Sequence, residues 1–180
     1  MRGLGLASVG KGDASAHLRP TTDRVRESIF NLLMNGGYSQ FVHDAVVLDL
    51  FAGTGALGLE AISRGAATCT FIDSGRVSQR ILNENIKRAR LAEASRVVTK
   101  DVTRLGRNSE EPASLVFLDP PYGKSLGLSA INAAVKGNWI APGALVVWEE
   151  SSEQDAPEGF TKLDARRYGD TWVTLIEHKT

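Results

Sequence analysis

Short apolar runs alternate with amphipathic segments along most of the chain. Runs of four to six residues, bounded by turn-forming residues, predict buried strands at 46–51, 68–73, 96–99, 114–119 and 144–149. Apolar positions recur at helical spacing in the intervening segments 55–64, 77–92 and 126–135. Strands that alternate with helices in this way favour a parallel sheet covered by helices on both faces.

The segments before the first strand and near the C-terminus do not follow this alternation. A helix is predicted before the first strand, with Thr22 or Asp23 as its N-cap and Gly36 just after its end. Near the C-terminus, residues 161–163 and 171–176 have the pattern of strands with no helix between them. This pair predicts an antiparallel hairpin at one edge of the sheet.

Residues 1–18 are rich in Gly, Ala and Ser and show no periodicity. We therefore expect them to form a loose or truncated N-terminal extension, followed by a single domain at 19–180.

The composition is that of an ordinary globular protein. The chain has 180 residues, of which 42% are hydrophobic and 23% charged, and these fractions exclude a disordered or fibrous chain. No apolar run approaches the roughly 20 residues that a transmembrane helix needs, and the N-terminal residues lack the apolar core of a signal peptide. Cys69 is the only cysteine, so an internal disulfide is excluded and we expect a cytoplasmic protein.

Charge is balanced overall but unevenly distributed. The chain has 21 basic and 21 acidic residues, which argues against a simple polyanion binder. Residues 76–107 contain nine Lys or Arg against three Asp or Glu, whereas residues 108–160 contain two against eight. The basic stretch can form a face for a polyanion or simply the solvated side of a helix, and the sequence leaves both open.

A glycine-rich turn follows the first predicted strand. Gly53, Gly55 and Gly58 have the G-x-G-x-x-G spacing of a nucleotide site, without the Lys-Ser/Thr of a P-loop. Asp49, inside the strand, suits a ligand with an ammonium group better than a pyrophosphate. Asp73 ends the second strand, where a carboxylate can hold ribose hydroxyls.

S-adenosylmethionine therefore fits this turn better than NAD, and Asp101, which follows the third strand, is placed for its adenine. The alternatives are a structural cap at Asp49 and ordinary turn acids at Asp73 and Asp101.

Asp119-Pro120-Pro121-Tyr122 follows the fourth predicted strand. The two prolines stiffen the turn and remove two backbone donors, so the Asp119 carboxylate and the Pro120 carbonyl remain as acceptors. Two fixed acceptors can hold the hydrogens of an exocyclic amine, while Tyr122 can stack on a base drawn out of its helix. A rigid turn with a surface tyrosine is the alternative interpretation.

Together these motifs resemble class I methyltransferases that act on exocyclic amines of bases. Residues 19–31 (RPTTDRVRESIFN) and 48–61 (LDLFAGTGALGLEA) resemble more specifically the bacterial RsmD family. That resemblance implies methylation of guanine N2 in small-subunit ribosomal RNA by direct in-line transfer from S-adenosylmethionine. It also implies a Rossmann-like, seven-stranded, mostly parallel sheet with an antiparallel C-terminal hairpin and helices on both faces.

The resemblance assigns roles to individual residues. It implies cofactor contacts for Asp49, Phe51, Gly53, Thr54, Gly55, Asp73 and Asp101. Catalytic contacts are implied for Asp119, Pro120, Pro121 and Tyr122, and RNA contacts for Arg19, Thr22, Arg24 and Arg26. Lys124, beside the catalytic turn, is a further candidate for RNA. The expected partner is 16S ribosomal RNA or the assembled small subunit, and we expect a monomer with no metal and no membrane partner.

One feature departs from the family pattern. The family usually begins with a short basic strand pair, whereas Arg2 and Lys11 are the only basic residues in 1–18. Alternative functions are a DNA adenine-N6 methyltransferase, since the acceptor turn suits adenine equally, and a non-catalytic RNA-binding assembly factor on the same fold. A protein-glutamine methyltransferase is disfavoured, because those enzymes usually have Asn where this chain has Asp119.

Overall fold

The computed structural model of the protein describes residues 5–7 and 22–180. Its helices are α1 (Asp23–Asn35), α2 (Ala56–Ser63), α3 (Arg76–Ala89) and α4 (Leu126–Lys136). Its strands are β1 (Val46–Leu50), β2 (Thr68–Asp73), β3 (Ser95–Thr99), β4 (Ala113–Leu118), β5 (Ile140–Glu150), β6 (Phe160–Tyr168) and β7 (Thr171–His178). Short 3₁₀ helices lie at Ser39–Phe41, Ala92–Ala94 and Val102–Arg104.

The strands form one seven-stranded sheet in the order β3-β2-β1-β4-β5-β7-β6. Strands β1 to β5 pair in parallel, and β7 is antiparallel to both β5 and β6. The predicted α/β class and the C-terminal hairpin are therefore confirmed. The chain runs outward from β1 to β3 and then returns to the other side of β1, so the strand order reverses beside β1.

Each face of the sheet has its own hydrophobic core. Helices α1, α2 and α3 cover one face, where the rings of Phe30 and Phe117 have centroids 5.6 Å apart. Helix α4 and the 3₁₀ helix Val102–Arg104 cover the other face, with Ile131 packed among strand residues such as Val146. Because successive strand residues point to opposite faces, the continuous apolar runs supply both cores at once.

Several element bounds differ from the sequence prediction. Strand β6 extends over nine residues where the sequence predicted three, because it is an edge strand whose exposed Arg166 and Arg167 obscure the apolar pattern. Strand β5 begins at Ile140, four residues before the predicted start, and a register irregularity separates that start from the main pairing. Helix α3 ends at Ala89 because Arg90 adopts a left-handed conformation with φ of 57°.

The start of α1 agrees with the sequence prediction. Thr22 is the N-cap of α1, and its Oγ1 accepts a hydrogen bond from the Val25 amide at 3.3 Å. Of the expected N-terminal extension, only residues 5–7 lie within the described part of the chain. Within residues 5–7 and 22–180, none of the helices has the length and apolar character of a membrane span.

Gly58 brings α2 against the sheet, and an alanine there has no room. A Cβ at Gly58 would lie 2.5 Å from Cys69 Sγ and 3.0 Å from Asp49 Oδ2, and it would also overlap the Phe71 ring. In an open helix, Gly→Ala would stabilise by about 0.5–1 kcal/mol. Here we expect Gly58→Ala to lower the free energy of unfolding by about 1–3 kcal/mol in chemical denaturation, because the close contact forces the helix away.

The matched control is Ser63→Ala, at the end of the same helix and only half-buried. It should change the free energy of unfolding by less than about 0.5 kcal/mol. A Gly58→Ala protein as stable as the wild type would contradict the close packing of α2 on β1 and β2.

Candidate active site

A cleft of about 1140 Å³ opens at the carboxyl ends of the parallel strands. The loops after β1, β2, β3 and β4 line it, together with the ends of β5 and β7. Among its lining residues are Thr22, Asp49, Phe51, Gly53, Thr54, Asp73, Asp101, Asp119, Pro120, Pro121, Tyr122 and Lys124. The fold thus brings together, in one crevice, motifs that lie about 70 residues apart in the sequence.

The glycine turn has the strained backbone of a ligand loop. Phe51, Gly53 and Gly55 have φ angles of 60°, 55° and 79°. The value for Phe51 is unusual, because a residue with a Cβ rarely adopts this conformation and does so mainly at functional sites. Gly55 is not among the residues that line the cleft. It is the N-cap of α2 and packs against Leu82, so its part is to shape the turn.

The Asp73 carboxylate joins the loops after β1 and β2. Its Oδ2 accepts from the Gly53 amide at 2.9 Å, and its Oδ1 accepts from the Gly75 amide at 2.7 Å. A carboxylate accepts about four hydrogen bonds, so Asp73 retains acceptor capacity toward the cleft. This one side chain therefore fixes the cofactor turn and can also hold hydroxyl groups.

Asp49 is a buried carboxylate at the base of the cleft. Its side chain is 2% exposed, and Oδ2 accepts a hydrogen bond from the Gly58 amide at 3.0 Å. Asp49 therefore caps the first turn of α2, which was the alternative interpretation of this residue. Burial raises the pKa of Asp49 well above its usual range, and the nearby Asp119 and Asp73 raise it further, against the effect of the Gly58 hydrogen bond. A cationic ligand in the cleft would stabilise the ionised form of Asp49.

Asp101 lies at the cleft in the loop after β3. Its Oδ1 accepts from the Thr103 hydroxyl at 2.7 Å and from the Thr103 amide at 2.9 Å. These hydrogen bonds, the hydroxyl first, lower the pKa of Asp101 below its usual value. Asp101 caps a short 3₁₀ helix while its exposed carboxylate borders the cleft.

Two residues that hold the acceptor turn had no signal in the sequence. The Tyr122 hydroxyl donates to Glu149 Oε1 at 3.2 Å and lies 3.0 Å from the Thr171 hydroxyl. Glu149 is at the end of β5 and Thr171 at the start of β7, and each is 5% exposed. These hydrogen bonds fix the Tyr122 ring to the ends of β5 and β7.

Asn85 of α3 is a third supporting residue without a signal in the sequence, and it holds the glycine turn. It is fully buried, and its Nδ2 donates to the Thr54 carbonyl of the glycine turn at 2.9 Å. The same amide exchanges two hydrogen bonds with the backbone of Ala7, at 2.7 Å and 3.2 Å. It therefore ties the glycine turn both to α3 and to residues 5–7.

The candidate RNA residues lie apart from one another. Thr22 and Lys124 are exposed at the cleft, whereas Arg24 and Arg26 are on α1 and do not line it. Arg26 forms an ion pair with Asp23 at 2.9 Å. Arg19 lies outside the described residues. In the part of the chain that the structure describes, no His, Cys, Asp or Glu cluster is arranged to hold a metal ion.

Comparison with known proteins identifies the chain. Residues 8–177 match the family model described as conserved hypothetical protein 95. The chain is 40% identical to ribosomal RNA small subunit methyltransferase D of Escherichia coli over 143 residues, 79% of this chain and 69% of that protein. The protein of the same name from Haemophilus influenzae is 34% identical over 160 residues, 86% of this chain and 80% of the relative. The chain belongs to the RsmD family.

Solved structures agree with the family. The solved structure of the putative methyltransferase yhhF from Escherichia coli superposes with a TM-score of 0.74 at 35% identity, covering 90% of this chain and 88% of that one. SMU.776, whose structure contains SAH, superposes with a TM-score of 0.61 at 17% identity over 84% of this chain and 49% of that one. This RsmD-family protein therefore has the class I methyltransferase fold, as the sequence predicted.

The glycine turn should depend on Asn85 for cofactor affinity. In Asn85→Ala the Thr54 carbonyl loses its partner, and a buried unsatisfied group costs about 1–3 kcal/mol. We expect roughly tenfold weaker binding of S-adenosylmethionine in titration calorimetry, with a smaller change in kcat at saturating cofactor. Asn83→Ala, on the exposed side of the same helix, should bind like the wild type. Equal affinities in the two variants would remove Asn85 from the cofactor site.

Asp49→Asn tests the buried charge through its dependence on pH. The unfolded chain titrates near 3.8, and the folded protein has a raised Asp49 pKa. The wild type therefore loses stability as the pH rises from about 3.8 through the raised pKa of the folded protein, because the folded state must then give up a proton that it holds more tightly. The asparagine variant has no such loss. Denaturation from about pH 4 to pH 8 should show a growing advantage for Asp49→Asn, alongside weaker cofactor binding. The exposed Asp155→Asn should show no such trend.

Proposed function

We propose that this protein transfers the methyl group of S-adenosylmethionine to N2 of a guanine in small-subunit ribosomal RNA. The observation that carries the proposal is the meeting of two turns in one cleft: the glycine turn after β1 and the Asp119–Tyr122 turn after β4. These strands are direct neighbours in the sheet, with Leu50 paired to Leu118. The Asp119 amide lies 3.5 Å from the Leu50 carbonyl, so the two turns begin side by side.

The residues of the β1 and β2 loops fit the cofactor. S-adenosylmethionine supplies a methyl group on a cationic sulfur, and transfer leaves a neutral thioether. The carboxylates of Asp49 and Asp73 suit its positive charge and its ribose hydroxyls, respectively. Asp101, Phe51 and the backbone of the glycine turn complete the cofactor half of the cleft.

The residues after β4 suit an exocyclic amine. The Asp119 carboxylate and the Pro120 carbonyl accept the two amine hydrogens, which directs the nitrogen lone pair toward the methyl donor. As the new N–C bond forms the nitrogen gains positive charge, and Asp119 can accept the proton that leaves it. Tyr122, held by Glu149 and Thr171, offers a fixed ring on which the base can stack.

No covalent intermediate on the enzyme is needed for this transfer. Cys69 is the only cysteine of the sequence and is buried near the start of β2. Burial raises the pKa of its thiol well above the usual value, and the charge of Asp49 adds to this effect. Catalysis then rests on positioning and electrostatics around a donor that is already activated.

Several basic residues can bind the RNA backbone around the cleft. Lys124 is exposed directly beside the catalytic turn, and Thr22 lies at the cleft where α1 begins. The ion pair of Arg26 is with Asp23, whose side chain is 90% exposed, and such exposed pairs are weak enough for a phosphate to replace them. With Arg24 and Arg19, these residues form the proposed contact to 16S RNA or to the small subunit.

Replacement of Asp119 is the direct test. Asp119→Ala removes a fixed acceptor for the amine, and we expect methyl transfer to fall by about 10²-fold or more while cofactor affinity stays within a few-fold. The measurement is incorporation of tritiated methyl groups into small ribosomal subunits that lack the modification, with duplex DNA as the competing substrate. Undiminished incorporation by the variant, or preferential labelling of DNA, would refute the proposed reaction.

A further inference from the structure

Glu149 stands beside Asp119 at the substrate end of the cleft. Strands β4 and β5 pair in parallel with Leu118 opposite Trp148, so Asp119 and Glu149 are the next residues of two adjacent strand ends. Leu118 and Trp148 point into the core beneath α4, and alternation directs the following pair to the other side. Both residues line the cleft.

The position of the Glu149 carboxylate is well defined. The side chain is 5% exposed, and Oε1 accepts the hydrogen bond from the Tyr122 hydroxyl at 3.2 Å. A carboxylate has about four acceptor positions, so Glu149 can accept an N–H from a ligand while it also holds the Tyr122 hydroxyl. Glu149 therefore holds an acceptor next to the turn that binds the exocyclic amine.

Guanine and adenine differ at the atom that would meet this acceptor. Beside the N2 amine, guanine has an N1–H donor, whereas adenine has an unprotonated N1 beside its N6 amine. With the amine held by Asp119 and Pro120, a guanine turned with N1 rather than N3 toward β5 would present its N1–H to the Glu149 carboxylate. A carboxylate attracts N1–H and repels a bare N1 lone pair.

We infer that Glu149 determines base specificity by accepting the N1–H hydrogen bond of the target guanine. The inference rests on the function proposed above and deepens it. Asp119 and Pro120 suit any exocyclic base amine, so discrimination needs a further group, and Glu149 supplies it. Sites that hydrogen-bond a substrate N–H reject analogues without it far more strongly than apolar pockets reject small differences in size.

2-Aminopurine separates the two contacts, because it has the N2 amine of guanine but no hydrogen on N1. Small-subunit RNA with guanine or 2-aminopurine at the methylated position is the probe, and the readout is the ratio of kcat/KM values. The wild type should prefer guanine by at least about tenfold. In Glu149→Gln the side-chain amide can donate to the bare N1, so the ratio should fall to about one or below.

Two variants separate base contact from simple support of Tyr122. Tyr122→Phe removes the hydroxyl that Glu149 holds, and we expect it to keep the wild-type ratio even where its rate is lower. Glu150→Gln is the matched control, since Glu150 is the next residue of β5, hydrogen-bonds to Ser151 and does not line the cleft. It should also keep the wild-type ratio.

The outcomes distinguish this inference from the proposed function. Guanine methylation with an unchanged ratio in Glu149→Gln, or loss of the ratio in Tyr122→Phe, overturns the role of Glu149 alone. A wild-type protein that methylates neither base overturns the proposed function and the inference with it. Binding of S-adenosylmethionine serves as the control for correct folding of each variant. If Glu149→Gln does not bind the cofactor, Glu149→Ala takes its place, and we expect it to lose the preference for guanine without gaining activity on 2-aminopurine.

Discussion

The reversal of strand order beside β1 is the constraint on which the site depends. Because β2 and β4 flank β1 on opposite sides, their chains leave the sheet in different directions and a crevice opens between the loops. Hydrogen bonds from the Gly53 and Gly75 amides to the Asp73 carboxylate hold one wall of that crevice, and the rigid Pro120–Pro121 turn holds the other. Sheet pairing alone brings the two walls within reach of each other.

The cleft concentrates acidic groups at a cost to the folded state. Asp49 is buried with Asp119 and Asp73 close enough to raise its pKa, so the site without ligand opposes its own ionisation. Such a site suits a cationic ligand, whose charge relieves the repulsion. A donor that becomes neutral on transfer also loses part of that attraction, so the same charges that favour binding of the cofactor favour release of its product.

The sequence predicted the parts of the site that are local. The glycine turn and the Asp119–Tyr122 turn each follow an apolar strand, and strand ends must meet at one edge of a parallel sheet. The supporting residues could not be found this way, because their partners are distant: Tyr122 is 27 residues from Glu149 and 49 from Thr171, and Asn85 is 78 from Ala7. The length of β6 was missed because an edge strand carries polar residues on its exposed positions.

The two halves of the cleft differ in what they can discriminate. In the proposed reaction, the β1–β2 half contacts the cofactor through backbone groups and carboxylates and does not contact the base. The proposed β4–β5 half contacts the base, and its acceptor turn can hold the exocyclic amine of either purine. On this proposal, specificity resides in side chains supplied from beyond β4, by β5 and β7, whose ends are buried against the turn. A fold shared by many methyltransferases can change its substrate at these strand ends without disturbing the cofactor half.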